Sequence, residues 1–155
     1  MTPRPDDHVL VATNVLLSAS DSGRPTHAAA VAVLQEWPAQ GITLYTCGQI
    51  LREYLVVATR PVRVNGLGLA AADALANADT LADRLRFLEE TRLAYVRCRQ
   101  LVEETGSGGK QIHDANIAAT GLTYGIDAVV TFNTSDFERF PELRVLSPEY
   151  GPRET

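Results

Sequence analysis

The sequence predicts an α/β protein built on a parallel sheet with helices over both faces. Three observations carry that prediction. Short runs such as His8-Val9-Leu10-Val11 and Ala128-Val129-Val130-Thr131 stay apolar instead of alternating with polar residues, as strands buried on both faces require. Longer stretches between them carry apolar residues at helical spacing. The two kinds of segment alternate along the chain, and alternation of this kind produces parallel strands joined by helical crossovers.

Taken in order, His8 to Val11 reads as the first strand and Asn14 to Ser20 as a short helix. Pro25 stands where a helix can begin. Val31, Leu34 and Trp37 recur at helical spacing before Pro38 and Gly41 stop the segment. Ile42 to Thr46 is the second strand. The next helix carries Ile50, Leu51, Tyr54, Leu55 and Ala58 and ends at Pro61; Val62 to Gly68 is a loop. The longest helix is expected from Leu69 to about Leu88, with a stripe of Leu75, Ala78, Leu81, Leu85 and Leu88. Leu93 to Val96 is expected as the third strand, with a short helix over Cys98 to Glu104. Gly106 to Gly109 is a loop, and Ile112, Ala115, Ala118, Ala119 and Leu122 mark a helix. Ala128 to Thr131 and Arg144 to Leu146 are the fourth and fifth strands. No repeat or linker divides the chain, so one domain is expected over residues 1–155, with its core at about 8–148.

Composition excludes several classes. With 45% hydrophobic and 21% charged residues, the 155-residue chain can bury a core, and wholesale disorder is excluded. The two cysteines, Cys47 and Cys98, are too few for a cysteine-rich zinc site or a disulfide framework; buried thiols in a reducing cytoplasm are the expectation. No apolar run is long enough to span a bilayer, and the first residues lack a signal-peptide core. Fourteen basic against nineteen acidic residues, a net charge of −5, argues against a general nucleic-acid coat protein. A nuclease stays possible, because bound metal ions reverse the local charge of an acidic site.

Some apparent motifs fail on spacing. Gly106-Ser107-Gly108-Gly109-Lys110-Gln111 resembles a phosphate loop, but Glu104 and Gln111 stand where that loop needs glycine and Ser or Thr. His8, His27 and His113 lack metal-ligand spacing. Glu89-Glu90 and Glu103-Glu104 read as solvated helix faces.

Open α/β sheets place their sites at the carboxyl ends of the strands, and acids gather there. Asp136 follows the fourth strand, Asp114 opens a helix, and Glu53 lies on the helix after the second strand. At about 3.6 residues per turn, Glu53 falls about 40° outside the apolar stripe, where it borders the core yet faces a cleft. Each acid alone has an ordinary reading: a helix cap for Asp114, a turn residue for Asp136, a surface charge for Glu53. Their joint position is what points to chemistry.

Four segments carry a family resemblance: Leu10-Val11-Ala12-Thr13-Asn14-Val15-Leu16-Leu17, Gln49-Ile50-Leu51-Arg52-Glu53, His113-Asp114-Ala115-Asn116-Ile117-Ala118-Ala119 and Thr131-Phe132-Asn133-Thr134-Ser135-Asp136-Phe137. The ending Phe140-Pro141-Glu142-Leu143-Arg144-Val145 supports them. From Val9 to about Pro148 the chain resembles the PIN-domain family, and within it the VapC toxins of bacterial toxin-antitoxin pairs. The resemblance implies a three-layer fold with a five-stranded parallel sheet flanked by helices, and a metal-dependent endoribonuclease using Mg²⁺ or Mn²⁺. It implies Glu53, Asp114 and Asp136 as metal-site acids, with Thr13 and Asn133 as polar neighbours that position the cluster or a water. It also implies an RNA substrate, a cognate antitoxin and a homodimer.

One position departs from the family pattern. An aspartate is expected at the end of the first strand, and Ala12 stands there without a ligand oxygen. A natural loss and an engineered inactivation both account for it; the intact remainder of the motif favours the second. The chain is thus expected to be inactive or weakened. A non-catalytic PIN module that binds RNA or a protein partner is the alternative. A small-molecule hydrolase such as a haloacid-dehalogenase-like phosphatase fits poorly, because that chemistry needs an aspartate nucleophile after the first strand and Ala12-Thr13-Asn14-Val15 offers none.

The chemistry behind the metal expectation is general. Hard carboxylate oxygens suit Mg²⁺ and Mn²⁺, and crowded acids persist only with cations bound or with a raised pKa. Arg52, Arg60, Arg63 and Lys110 flank the expected cleft and are candidates for phosphate contacts. The apolar helices around Tyr54-Leu55 and from Leu75 to Leu88 are candidates for an antitoxin groove.

Overall fold

The computed structural model describes residues 2–149. The expected single domain extends to residues 1 and 150–155, which lie outside the described residues. Five strands form one parallel sheet in the order β3-β2-β1-β4-β5. They are β1 (His8–Val11), β2 (Thr43–Cys47), β3 (Arg86–Leu88), β4 (Ala128–Val130) and β5 (Arg144–Leu146). Leu10 faces Tyr45 on one side and Val129 on the other, so β1 is central. All of β4, and Val9 to Val11 of β1, are buried, which is why these strands are apolar without alternation.

The helices are α1 (Thr13–Ala19), α2 (His27–Ala39), α3 (Gly48–Thr59), α4 (Ala71–Ala82), α5 (Arg92–Thr105) and α6 (Gln111–Thr123). α1 packs on α2 and α3, α3 packs on α4, and α5 packs on α6. Chain order explains this division. The steps β1 to β2 and β2 to β3 run outward one way, whereas β3 to β4 returns past β1. Right-handed crossovers therefore send α1 to α4 to one face and α5 and α6 to the other. The sheet order reverses between β1 and β4, and at such a switch point the carboxyl ends open into a crevice.

Small residues set the depth of α6. Ala115, Ala118 and Ala119 are fully buried, and a Cβ on Gly121 would lie 2.5 Å from Leu10 Cδ1 and 3.1 Å from the Ile126 carbonyl. Nothing larger than glycine fits there unless Leu10 moves.

Two expectations fail. The helix expected over Leu69 to Leu88 ends at Ala82, and Arg86–Leu88 forms β3, paired with Tyr45 to Cys47 of β2. Leu81, Leu85 and Leu88 are buried as expected, but a helix, a turn and an edge strand present them inward as well as one helix would. Leu75 is half exposed; the buried face of α4 is Ala74, Ala78 and Leu81. The second failure is Leu93 to Val96, which belongs to α5 and is not a strand. Thr91 caps that helix by accepting a hydrogen bond from the Ala94 N–H at 3.2 Å. Ala94, Cys98 and Leu101 then form its buried face, leaving Leu93 and Val96 outside. α5, with 14 residues, is thus the longest described helix. Gly106, at φ +68°, ends it in the left-handed conformation.

Candidate active site

The crevice at the carboxyl ends of β1 and β4 is built by hydrogen bonds between distant segments. Ala12 follows β1 and donates its N–H to the Val130 carbonyl at 3.0 Å. Asn14, in the first turn of α1, donates to Thr131 Oγ1 at 2.9 Å and accepts from the Phe132 N–H at 3.1 Å. Thr131 Oγ1 also accepts from the Asn133 N–H at 3.0 Å. The loop after β4 is thus stitched to the start of α1. That loop carries Asp136 at the end of a 3₁₀ turn, Thr134–Asp136. Asn133 precedes this turn with its side chain exposed and uninvolved in capping.

Glu53 is half-buried on α3, and both of its carboxylate oxygens are occupied. Thr13 Oγ1 donates to Oε2 at 2.8 Å, and Gln49 Nε2 donates to Oε1 at 2.6 Å. Asp114 stands in the first turn of α6 and shares an open groove with Thr13 and Glu53. Burial pushes its carboxyl up to about 6, the charge on Asp136 pushes the same way, Arg139 opposes it, and Glu53 adds a smaller upward push. Asp136 and Glu53 therefore both act on Asp114 as like charges. Among the described residues, however, no three His, Cys, Asp or Glu side chains are grouped closely enough to hold a metal ion. The carboxylate chemistry suits a hard cation. Ala12 is buried at the cap of α1 with no side-chain hydrogen bond.

The groove, of about 860 Å³, runs from Glu53 and Asp114 between α3, α5 and α6; Asp136 and Asn133 do not line it. Arg52, Arg60 and Lys110 line it together with Val56, Tyr95 and Ile112; Arg63 does not. Tyr54, expected on a partner surface, is fully buried and donates to Ser20 Oγ at 3.0 Å. Glu89-Glu90 lies in the loop between β3 and α5 and on no helix. Glu90 accepts a hydrogen bond from Asn116 at 3.0 Å and faces Arg52 at 3.6 Å on the groove's rim. Gln49, Asn116 and Arg139 were not singled out from the sequence. Only the spacing of Gln49 one helical turn before Glu53 hinted at a contact. Both cysteines are buried, and burial pushes the Cys47 thiol up to about 11.

The fold and the strand-end acids define a class. The PIN-domain family profile matches residues 9–143, and the chain belongs to the PIN-domain family. Within that family, 36 residues are 53% identical to ribonuclease VapC of Rickettsia bellii, a match covering 23% of this chain and 26% of that protein. Among solved structures, VapBC2 from Rickettsia felis bound to a DNA fragment from its promoter superposes with a TM-score of 0.66 at 17% identity. That match covers 90% of this chain and 98% of the other. A toxin-antitoxin complex from Klebsiella pneumoniae matches with a TM-score of 0.62 at 23% identity, over 90% and 97% of the two chains. Likeness at these identities establishes the fold. No helix among the described residues is long and apolar enough to cross a membrane.

Proposed function

We propose that this chain is a VapC-like toxin: a single-domain, cytoplasmic endoribonuclease scaffold whose divalent-metal site lacks one carboxylate, at position 12. The observation that carries the reading is the convergence of Thr13, Glu53 and Asp114 on one groove at the strand ends, with the charge of Asp136 acting on Asp114. Glu53, Asp114 and Asp136 are the residues that would hold Mg²⁺ or Mn²⁺. When bound, such an ion acidifies a water and relieves charge on a phosphate. Thr13 holds Glu53 toward the acids. Arg60 and Lys110, with Arg52 at the rim, supply positive charge along the groove for an RNA backbone. Partners in this reading are RNA, a small antitoxin and a second copy of the chain. The solved VapBC and toxin-antitoxin relatives support the antitoxin, and exposed Val56, Tyr95 and Ile112 offer it apolar contacts.

Ala12→Asp tests the reading. The new carboxylate would cap α1, worth about 1 kcal/mol. In this reading it also joins the acids as a like charge; two carboxylates about 5–6 Å apart at an effective dielectric of ~20 repel by about 3 kcal/mol. Without metal the variant should therefore melt lower than the parent. Mn²⁺ should raise its melting temperature, and metal-dependent RNA cleavage should appear. A variant that stays inactive and whose melting ignores Mn²⁺ refutes the metal-nuclease reading.

A second reading, a non-catalytic PIN module binding RNA or protein, is favoured by the buried methyl at position 12. Under it, RNA or antitoxin binding persists while Ala12→Asp gains no hydrolysis.

A further inference from the structure

We propose that Gln49 and Asn116 are positioning residues: they lock the Glu53 carboxylate in one orientation and tie its helix to the helix that carries Asp114. This inference deepens the metal-nuclease reading and rests on it for its catalytic consequence.

The geometry leaves the two amides no freedom. Gln49 is 6% exposed and sits in the first turn of α3, four residues before Glu53. Its Nε2 donates to Glu53 Oε1 at 2.6 Å and to the His113 carbonyl at 3.1 Å, which uses both N–H bonds. Its Oε1 accepts from Asn116 Nδ2 at 2.5 Å, and the same Nδ2 donates to Glu90 Oε1 at 3.0 Å. Flipping either amide would turn an oxygen toward two groups that can only accept. For Gln49 those are a carboxylate and a carbonyl; for Asn116 they are the Gln49 oxygen and a carboxylate. The orientation of each amide is therefore dictated by its acceptors. The result is a continuous hydrogen-bond chain: Asn116 donates to Glu90 at the rim and to Gln49 inward, Gln49 donates to Glu53, and Thr13 closes the far side.

The chain joins two faces of the site. His113 directly precedes Asp114, so the bond from Gln49 to its carbonyl holds the first turn of α6 against α3. Glu53 and Asp114 stand on different helices, α3 and α6, and as two carboxylates they repel and offer each other no donor. Gln49 bridges them, and burial makes that bridge costly to break. Groups that orient a metal-site carboxylate in this way typically change metal affinity 10–100-fold when removed.

The test has two arms. In the chain as it stands, three-bond couplings measured by NMR read the side-chain rotamer of Glu53. One rotamer is expected in the parent, and averaging over several in Gln49→Met and in Asn116→Ala. Asn116→Ala acts from outside the buried layer and keeps the test open if Gln49→Met folds poorly. A single unchanged Glu53 rotamer in the folded variants overturns the positioning role, whatever the activity. In the second arm, Ala12→Asp is compared with Ala12→Asp carrying Gln49→Met or Asn116→Ala, by Mn²⁺ titration and RNA cleavage. Mn²⁺ binding should weaken about 10-fold or more, and kcat should fall with KM for RNA unchanged. Loss of melting temperature with Mn²⁺ affinity and kcat intact means that the amides only pack, which also overturns the proposal. If Ala12→Asp with both amides present neither binds Mn²⁺ nor cleaves, while Glu53 still loses its rotamer in the first arm, the nuclease reading fails and the positioning role stands.

Discussion

Replacing Asp114 by asparagine should stabilise the metal-free protein at neutral pH. The carboxyl of Asp114 is pushed from 3.8 up to about 6, first by burial and then by the charge of Asp136. Between those two values the folded protein holds a proton that the unfolded chain has released. Stability therefore falls as pH rises from about 4 through about 6 and then levels off. Taken in full, the shift corresponds to about 3 kcal/mol. Asp114 is only half-buried, and solvent screening reduces this to roughly 1–2 kcal/mol. The asparagine also gives up a negative charge in the first turn of α6, which costs about 0.3–1 kcal/mol. The balance is a gain of about 1 kcal/mol at pH 7.5, or roughly 2–4 °C in melting temperature for a chain of this size. Urea unfolding of parent and Asp114→Asn in EDTA, from pH 4 to pH 8, measures it. The two should coincide near pH 4, and the variant should lead above pH 6. A variant that is no more stable at pH 7.5, or a difference that does not change with pH, would refute the argument that Asp114 is held among like charges. Under the nuclease reading, added Mn²⁺ should narrow the gap.

The opposite slope is expected at the other end of the sheet. Burial raises Asp7, but two bonds from Arg144 at 2.9 and 3.2 Å and one from the Arg4 N–H at 2.7 Å outweigh it and hold the carboxyl low. Asp7→Asn should cost roughly 1–3 kcal/mol at pH 7, a deficit that shrinks as pH falls through the depressed carboxyl, measurable by the same unfolding series. Gly121→Ala should lose about 1–3 kcal/mol through its overlap with Leu10, and should lower the melting temperature equally with and without Mn²⁺. Under the nuclease reading, Arg60→Glu and Lys110→Glu should each weaken RNA retention, and each lost phosphate contact should flatten the salt dependence by about 0.7; filter binding across salt concentrations would show an unchanged slope if these residues face only solvent.

How much the sequence disclosed depended on where each residue sat. β1 and β4 were legible because burial on both faces writes an apolar run, Val9 to Val11 and Ala128 to Val130. β3 was not, because it exposes Arg86 and Phe87, keeps only Leu88 inside, and its buried leucine also fits the helical spacing of the stripe before it. The start of α5 was misread because Leu93, Tyr95 and Val96 favour strands by type, while the cap at Thr91 and the buried Ala94 settle the helix. At the site, Glu53, Asp114 and Asp136 could be named from their place after strands. Gln49 and Asn116 could not, since an amide on a helix looks the same whether it meets water or a carboxylate.

By itself, the sequence determined the class of fold and the central strands, and it named the acids and position 12 as candidates. These follow from local periodicity and from residue type. The tertiary structure alone decided the sheet order, the edge strand and the partners that orient the acids. Gln49 meets His113 across 64 residues, Asn116 meets Gln49 across 67, and Asn14 meets Thr131 across 117. Such bonds exist only after β1 and β4 have paired and α3 and α6 have been brought to the same crevice. A hydrogen bond depends on distance and direction in space, which spacing along the chain does not specify once the partners lie on different elements.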